Sequence, residues 1–156
     1  MYQSLKTGLQ ADGVYGEIHV HDNVVSQSIP TNAVVYTKLI EWSDNGESKG
    51  TIPDQANGQI TLSDSGIYKL ESTLSFKSGT GNVVTECSIF IDGVEQDQLH
   101  FTRKISTAGD VGSASITGLA SVDAGQVIDL RLKHDNAGSV DITVVYGNLN
   151  AEYVNT

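Results

Sequence analysis

The stretch VIDLRLKH, residues 127–134, decides the fold class. It alternates between aliphatic residues (Ile128, Leu130 and Leu132) and charged residues (Asp129, Arg131 and Lys133). Successive side chains of a β-strand point to opposite faces, so this period of two predicts a half-buried strand with the aliphatic residues inside. A helix would instead need apolar residues every three or four positions, a spacing that this stretch lacks.

Comparable short runs lie on both sides of this stretch. They occur at residues 17–21, 33–42, 59–62, 67–76, 83–91, 99–105, 115–122 and 141–154, with Gly, Asp, Asn and Ser in between. Short strands separated by turn residues in this way are typical of an all-β sandwich. No segment holds an apolar helical repeat over three turns. We therefore predict an N-terminal arm, residues 1–14, followed by an antiparallel β-sandwich of nine or ten strands, residues 15–156.

Two kinds of connection join the predicted strands. The pair Asp92-Gly93 follows an apolar run and predicts a tight hairpin, because both residues tolerate positive φ. Residues 43–58 are polar and rich in glycine, and they interrupt the regular spacing. This segment is long for a connection without secondary structure, so we expect a functional or mobile loop there.

Composition agrees with the pattern and excludes several classes of function. Val, Ile and Thr number 41 in 156 residues against 12 for Leu and Met, which favours strands over helices. The net charge of −10 argues against nucleic acid as a partner, since phosphate contacts need clustered Lys and Arg. The same charge disfavours anionic membranes.

Cysteine usage and the N-terminus bear on the compartment. Cys87 is the only cysteine, so neither an intramolecular disulfide nor a cysteine-based zinc site can form. No apolar run follows Met1, as a signal peptide would require, and no stretch approaches the length of a membrane span. We expect synthesis in a cytoplasm without secretion.

Three segments resemble the jelly-roll family that includes tumour necrosis factor and the globular heads of the first complement component. They are ITLSDSGIY (60–68), CSIFIDGV (87–94), and VDAGQVIDLRL (122–132) followed by VVYGNL (144–149). Each is similar to a family pattern: the entry into a central strand, a hairpin, and the last two strands. The ordered set spans roughly residues 15–154, and similar domains occur in bacteriophage virion proteins.

The resemblance implies a homotrimer in which three jelly rolls pack around one axis. Family members usually place an aromatic residue at the position of Asp129 and apolar residues at the positions of Asn148 and Asn150. We therefore expect a polar trimer seam that includes Asp129, Arg131, Asn148 and Asn150. An ion pair between Asp129 of one copy and Arg131 or Lys133 of its neighbour is the contact to test.

Residues with catalytic or metal-binding chemistry are few. His19 and His21 lie two positions apart and are weak candidates for a metal site shared by three copies. The turns at Asp12-Gly13, Asp22-Asn23, Asp92-Gly93 and Asp135-Asn136 could hold calcium, but turn chemistry already explains them. Cys87 with His100 is an imaginable nucleophile pair, although a cysteine in an apolar strand is usually a core residue. We expect no enzyme activity and no cofactor.

These observations favour a structural bacteriophage protein: a homotrimeric capsid decoration or head-fibre protein that binds the major capsid protein. It would act in the virion, after assembly in the host cytoplasm. Tyr2, Leu5 and Leu9 are apolar residues in the arm, and we expect them to attach the trimer to the capsid. The alternative is the head of a tail fibre that binds a host receptor or glycan through residues 43–58 and 108–112. A third and more distant hypothesis is an enzyme subunit with the same fold.

Overall fold

A computed structural model describes residues 13–31 and 34–155. Within those two ranges the chain forms twelve strands and one short 3₁₀ helix, Gln55–Asn57. The strands are β1 (Tyr15–Val20), β2 (Gln27–Ile29), β3 (Thr37–Lys38), β4 (Asp44–Lys49), β5 (Thr51–Asp54), β6 (Gln59–Leu62), β7 (Gly66–Ser78), β8 (Val83–Ile91), β9 (Val94–Ile105), β10 (Val111–Val122), β11 (Val127–His134) and β12 (Val140–Asn155).

The strands form two antiparallel sheets that pack face to face. Sheet I has the order β10-β7-β12-β1-β4, with the short strand β2 also paired to β12. Sheet II has the order β5-β6-β11-β8-β9, with β3 also paired to β11. Most neighbours within a sheet are distant along the chain, so the polypeptide crosses repeatedly between the sheets. This arrangement confirms the predicted all-β jelly-roll sandwich. The described residues form twelve strands instead of nine or ten, because β2, β4 and β5 form by pairing where no apolar pattern predicts a strand.

Strand β11 confirms the register that the alternating stretch predicts. Ile128, Leu130 and Leu132 are all fully buried between the sheets. The same core takes inward side chains from sheet I, among them Tyr68, Leu70, Leu74 and Phe76 of β7. A slip of one residue would exchange the two faces of β11, so this burial fixes its register.

One side of the sandwich closes where β9 of sheet II meets β10 of sheet I. A Cβ atom added at Gly118 would lie 2.6 Å from a methyl group of Leu99. The glycine therefore allows the two edge strands to approach each other closely. Strands β8 and β9 are joined at Asp92 and Gly93, whose φ angles of 46° and 78° confirm the predicted hairpin.

Two predictions about local structure are wrong. The polar segment 43–58 is not an irregular loop, because β4 pairs with β1 and β5 pairs with β6. The sharp turn between β4 and β5 lies at Gly50, whose φ is 65°. Conversely, the apolar run 33–42 contains only the two-residue strand β3 in its described part. In that run the side chains of Tyr36 and Lys38 lie on the outer surface of sheet II, and Leu39 is buried in the core.

Candidate functional site

The outer surfaces of the two sheets, called face I and face II here, differ in how far the chain itself covers them. Face II carries Asp129, which is only 4% exposed although its position in β11 points it away from the core. Arg131 donates two hydrogen bonds to its carboxylate, from Nε to Oδ1 at 2.6 Å and from Nη2 to Oδ2 at 3.0 Å. Lys38 Nζ lies 3.8 Å from Oδ2. The hydrogen bonds from Arg131 raise the pKa of its guanidinium.

Aromatic contacts extend this network across face II. The Arg131 guanidinium lies 4.4 Å from the centre of the Phe90 ring. The Tyr36 ring meets Phe90 edge-on, with the ring centres 5.1 Å apart, and Lys133 Nζ lies 4.6 Å from the centre of Tyr36. The side chains of Tyr36 and Lys38 thus lie over the middle of face II. We call Tyr36, Lys38, Phe90, Asp129 and Arg131 together the Asp129 network.

The Asp129 network changes the interpretation of two predicted trimer contacts. Asp129 pairs with Arg131 of its own chain, and Lys133 pairs with Glu86 of its own chain at 3.1 Å. The expected ion pair between copies therefore has to compete with these internal pairs. Phe90 is the residue that the sequence analysis missed. The run Ile89-Phe90-Ile91 breaks the alternation of β8, which signals an outward aromatic that needs a cover.

A polar groove lies beside Tyr36, with a volume of about 230 Å³. Its lining consists of Tyr36, Glu86, Glu95, Asp97, His100 and Lys133. Burial, and then a hydrogen bond with Glu95, raise the pKa of Tyr36 well above its ordinary value. The phenol therefore stays protonated to a higher pH than an ordinary tyrosine does. The groove offers hydrogen-bonding groups, most of them already bonded to one another.

Most outward side chains of face I are exposed or partly exposed, and many of them are small and polar. Thr143, whose hydroxyl is bonded to that of Ser26, is buried. The hydroxyl groups of Ser75 and Ser113 lie 2.8 Å apart, and the side-chain oxygen of Asn148 accepts a hydrogen bond from the backbone N–H of Thr73. Asn148 and Asn150 both project from β12 on this face. They lie on the opposite side of the molecule from Asp129 and Arg131. The structure therefore does not bring the four predicted seam residues together on one surface.

One end of face I forms an acidic groove of about 240 Å³. Its side chains come from β1, β4, β7 and β12 and include Tyr15, Glu17, Glu47, Lys69, Glu71, Asn150 and Glu152. Lys69 Nζ lies 2.9 Å from Glu71 Oε1, and this hydrogen bond raises the pKa of Lys69. Four carboxylates against one ammonium group give the groove a negative charge at neutral pH.

The two candidate metal-binding histidines have separate contacts. His19 Nδ1 lies 3.3 Å from Glu17 Oε1, and its Nε2 lies 4.0 Å from Asp44 Oδ2. His21, just beyond the end of β1, packs its ring against the edge of Tyr146. Within residues 13–31 and 34–155, no group of three or more His, Cys, Asp or Glu side chains is arranged to hold a metal ion.

Tyr146, in the middle of β12, is bonded to the turn that follows β1. Its hydroxyl donates a hydrogen bond of 2.5 Å to Asp22 Oδ1, and this bond raises the pKa of Tyr146. Asp22 adopts a positive φ of 51°, which aspartate tolerates better than most residues. The adjacent Asn23 donates to Val144 O and Val25 O. The positive φ and the hydrogen bonds of this turn therefore explain why Asp and Asn occupy positions 22 and 23.

Cys87 and His100 do not form a pair. Cys87 is fully buried in the core, and burial raises the pKa of its thiol. His100 is exposed on the other side of sheet II, where its Nδ1 lies 2.7 Å from Asp97 O. A protonated, buried thiol is a poor nucleophile. Tyr2, Leu5 and Leu9, the predicted attachment residues, lie outside the described residues.

Among the described residues, no helix has the length and apolar character needed to cross a membrane. No family model and no curated protein matches the sequence. Many solved structures share the fold, and two of them serve as examples. Eiger, a tumour necrosis factor from S. frugiperda, is 8% identical over 92% of this chain and 95% of its own, with a TM-score of 0.61. The globular domain of a zebrafish complement 1qA protein is 12% identical over 90% of this chain and 97% of its own, with a TM-score of 0.60. The chain therefore has the jelly-roll fold of the family that its motifs resemble.

Proposed function

We propose that this chain is a homotrimeric binding protein of a bacteriophage virion, which attaches to the capsid as a decoration or head-fibre protein and catalyses no reaction. The main support for this proposal is that the chain covers face II more fully than face I. The middle of face II is covered by the side chains of Tyr36 and Lys38 and by the ion pair between Asp129 and Arg131. On face I most outward side chains are exposed or partly exposed. A jelly roll whose second face is largely exposed to solvent can associate with another molecule through that face.

A second copy of the chain fits face I better than a small ligand does. Its centre is lined by short hydroxyl and amide side chains, so another backbone can approach closely. Exposed apolar side chains flank that centre: Tyr15 is 40% exposed, Tyr146 45% and Leu119 57%. Protein interfaces combine such apolar groups with satisfied hydrogen bonds. Three copies arranged around an axis would cover every face I, and closed rings are the usual form of such assemblies.

Sedimentation analysis tests the trimer. We expect a single species near three times 16.6 kDa at micromolar concentration. Thr73→Arg places a long charged side chain in the centre of face I and should give monomers. Thr102→Arg makes the same change at an exposed position of β9 in sheet II, and this control should remain trimeric. A wild-type monomer, or equal behaviour of the two variants, would contradict association through face I.

Attachment to the virion is tested separately. A trimer can place three equal contacts on a capsid lattice, and each bound contact raises the effective concentration of the others. Purified protein should co-sediment with phage heads that lack it and should saturate at a fixed number of trimers per head. Binding to host cells or to tail fibres, with none to heads, would contradict the decoration role and favour the receptor-binding alternative.

A further inference from the structure

Tyr146 is an exposed aromatic residue that its own chain holds in one position. It projects from β12 on face I and is 45% exposed. Its hydroxyl donates a hydrogen bond to Asp22, and the His21 ring meets its edge with the ring centres 5.3 Å apart. A tyrosine that is fixed before binding loses little conformational entropy when a partner covers it. Tyr146 therefore has the properties of an interface anchor.

A group of small side chains lies beside Tyr146 on the same face. Tyr146 pairs with Ser75 of β7, and Ser75 pairs with Ser113 of β10. The two serine hydroxyl groups lie 2.8 Å apart and bond to each other. Val111 lies two positions before Ser113, on the same side of β10, and is 58% exposed. We call Ser75, Val111 and Ser113 the serine patch. An aromatic ring can cover it and find an aliphatic contact at Val111, while the two hydroxyl groups keep their mutual bond.

The charges beside Tyr146 and beside the serine patch have opposite signs. Asp22, which accepts the bond from Tyr146, is negative. Lys77 of β7 pairs with Val111 at the border of the patch and is positive. Among residues 13–31 and 34–155, no carboxylate forms an ion pair with Lys77. Strand β10, VGSASITGLASV, contains no charged residue. In a chain of net charge −10, a second copy can approach this patch without meeting its own sign of charge.

We propose that Tyr146 of one copy packs on the serine patch of the next copy and forms the repeating contact of the trimer. The inference rests on the proposed association through face I and adds the residues that meet there. The same contact brings Asp22 of one copy towards Lys77 of the next. Each copy offers both Tyr146 and a serine patch, so three such contacts close a ring.

The strand register places both halves of this contact at one height. Copies in a closed ring are related by rotation alone, so residues in contact lie at the same height along the axis. Tyr146, Ser75 and Ser113 are direct neighbours across sheet I, and they share one height in a ring whose axis follows the strands. Asp22 and Lys77 are both displaced from that row towards the end of the sheet where β1 and β7 finish.

The opposite end of face I is unsuited to the same role. Tyr15 is 40% exposed there, but it borders the acidic groove with its four carboxylates and one ammonium group. A copy that covered the groove with β10 would remove water from those carboxylates and supply no cation in return. Tyr15 is therefore a matched control for Tyr146.

Sedimentation of the substituted full chains measures the contribution of Tyr146. Tyr146→Ala should raise the dissociation constant of the trimer by at least about tenfold, because an anchor of the interface is lost. Tyr15→Ala truncates a tyrosine of similar exposure on the same face and should change the constant by less than about threefold. Equal effects of the two substitutions would overturn this contact and leave association through face I intact.

A second pair of variants tests the serine patch. Ser113→Trp fills the place of the incoming ring at an exposed position, so the chain should fold and sediment as a monomer. Ser121→Trp makes the same change at an exposed position near the other end of β10, and it should remain trimeric. Equal behaviour of these two variants would overturn the contact, even if Tyr146→Ala fails to fold. A monomeric wild-type chain would instead refute the proposed trimer itself.

Discussion

Asp129 illustrates, at the scale of a residue, how an outward-pointing side chain can still be buried. Alternation along β11 correctly predicts that Asp129 points away from the core. Its burial depends on Lys38 and Arg131, which cover the carboxylate. Lys38 reaches that place only because β3 pairs with β11. A periodic pattern within one strand carries no information about a cover that comes from elsewhere in the chain.

Substitution of Asp129 tests the Asp129 network. Asp129→Asn removes the negative charge and leaves the guanidinium of Arg131 and the ammonium of Lys38 without a counter-charge. We expect a loss of about 2–4 kcal/mol in the free energy of unfolding, below the cost for a fully buried pair because both cations are partly exposed. Glu86→Gln, which removes the partner of Lys133 at a more exposed site, should cost less than about 1 kcal/mol. Urea denaturation measures both, and equal small losses would show that Asp129 is energetically a surface residue.

Two weak acids, one fully buried and one partly buried, predict how stability changes at alkaline pH. Burial raises the pKa of both the Cys87 thiol and the Tyr36 phenol, so the folded protein keeps both protonated. In the unfolded chain they ionise near pH 8.5 and 10. Their contribution to stability is therefore fully present below those values and is lost as the pH rises towards the higher folded-state pKa values. For the fully buried Cys87 the slope approaches about 1.4 kcal/mol per pH unit, and for the partly exposed Tyr36 it is smaller.

The measurement is urea denaturation at intervals from pH 7.5 to 10.5. Cys87→Ala should remove the part of the decline that begins near pH 8.5, and Tyr36→Phe the part that begins near pH 10. Each variant has its own stability at neutral pH, so the comparison is between slopes. Wild-type and Cys87→Ala curves that stay parallel would show that the thiol is not held protonated by the fold.

Strand β11 gives the clearest test at the scale of an element. Leu130 is fully buried, and Leu130→Ala should lower the free energy of unfolding by about 2–5 kcal/mol. Ile52→Ala truncates an aliphatic side chain of β5 that is 62% exposed, and it should change stability by less than about 0.5 kcal/mol. Chemical denaturation compares the two variants. Similar losses at both positions would contradict the assigned register.

The elements that sequence reasoning missed are those whose strands form through pairing and not through apolar pattern. Strand β4 is polar along its whole length, DNGESK, and becomes a strand because β1 offers it a free edge. The described part of 33–42 is apolar for the opposite reason. Its Leu39 is buried and Tyr36 packs on Phe90, so the segment fills space without forming a long strand. Hydrophobic period alone cannot distinguish these cases.

At the scale of the whole molecule, the order of the motifs was more informative than any one of them. The turn at Asp92-Gly93, the alternation of β11 and the glycine of the last strand each allow many folds. Their order along the chain matches a single fold, the jelly roll. Solved structures that are only 8% and 12% identical to this chain share that fold. The candidate surface was less predictable. Asn148 and Asp129 lie on opposite faces because their strands belong to different sheets. Long-range strand pairing determines which sheet a strand joins, and the pattern within one strand does not reveal it.

The N-terminal segment gives the last prediction, which concerns attachment to a larger assembly. Val14 already belongs to the sandwich, since its carbonyl accepts a hydrogen bond of 2.8 Å from Tyr153 and its side chain packs on the core. Deletion of residues 1–12 should therefore leave the jelly roll intact, and with it the proposed trimer. Tyr2, Leu5 and Leu9 lie within the deleted part. Apolar residues in a short arm can fill grooves on a partner, and three arms on one trimer would act together.

We expect the truncated protein to sediment as a folded trimer and to lose most of its affinity for phage heads. Restoring the arm with Leu5→Ser and Leu9→Ser keeps its length and should also bind poorly, because the apolar side chains provide the contact. An arm of unchanged composition but shuffled order serves as the control for non-specific stickiness. Unchanged binding after deletion would refute the arm as anchor and place the contact on the sandwich itself. Loss of the trimer on deletion would instead assign the arm to contacts between the copies.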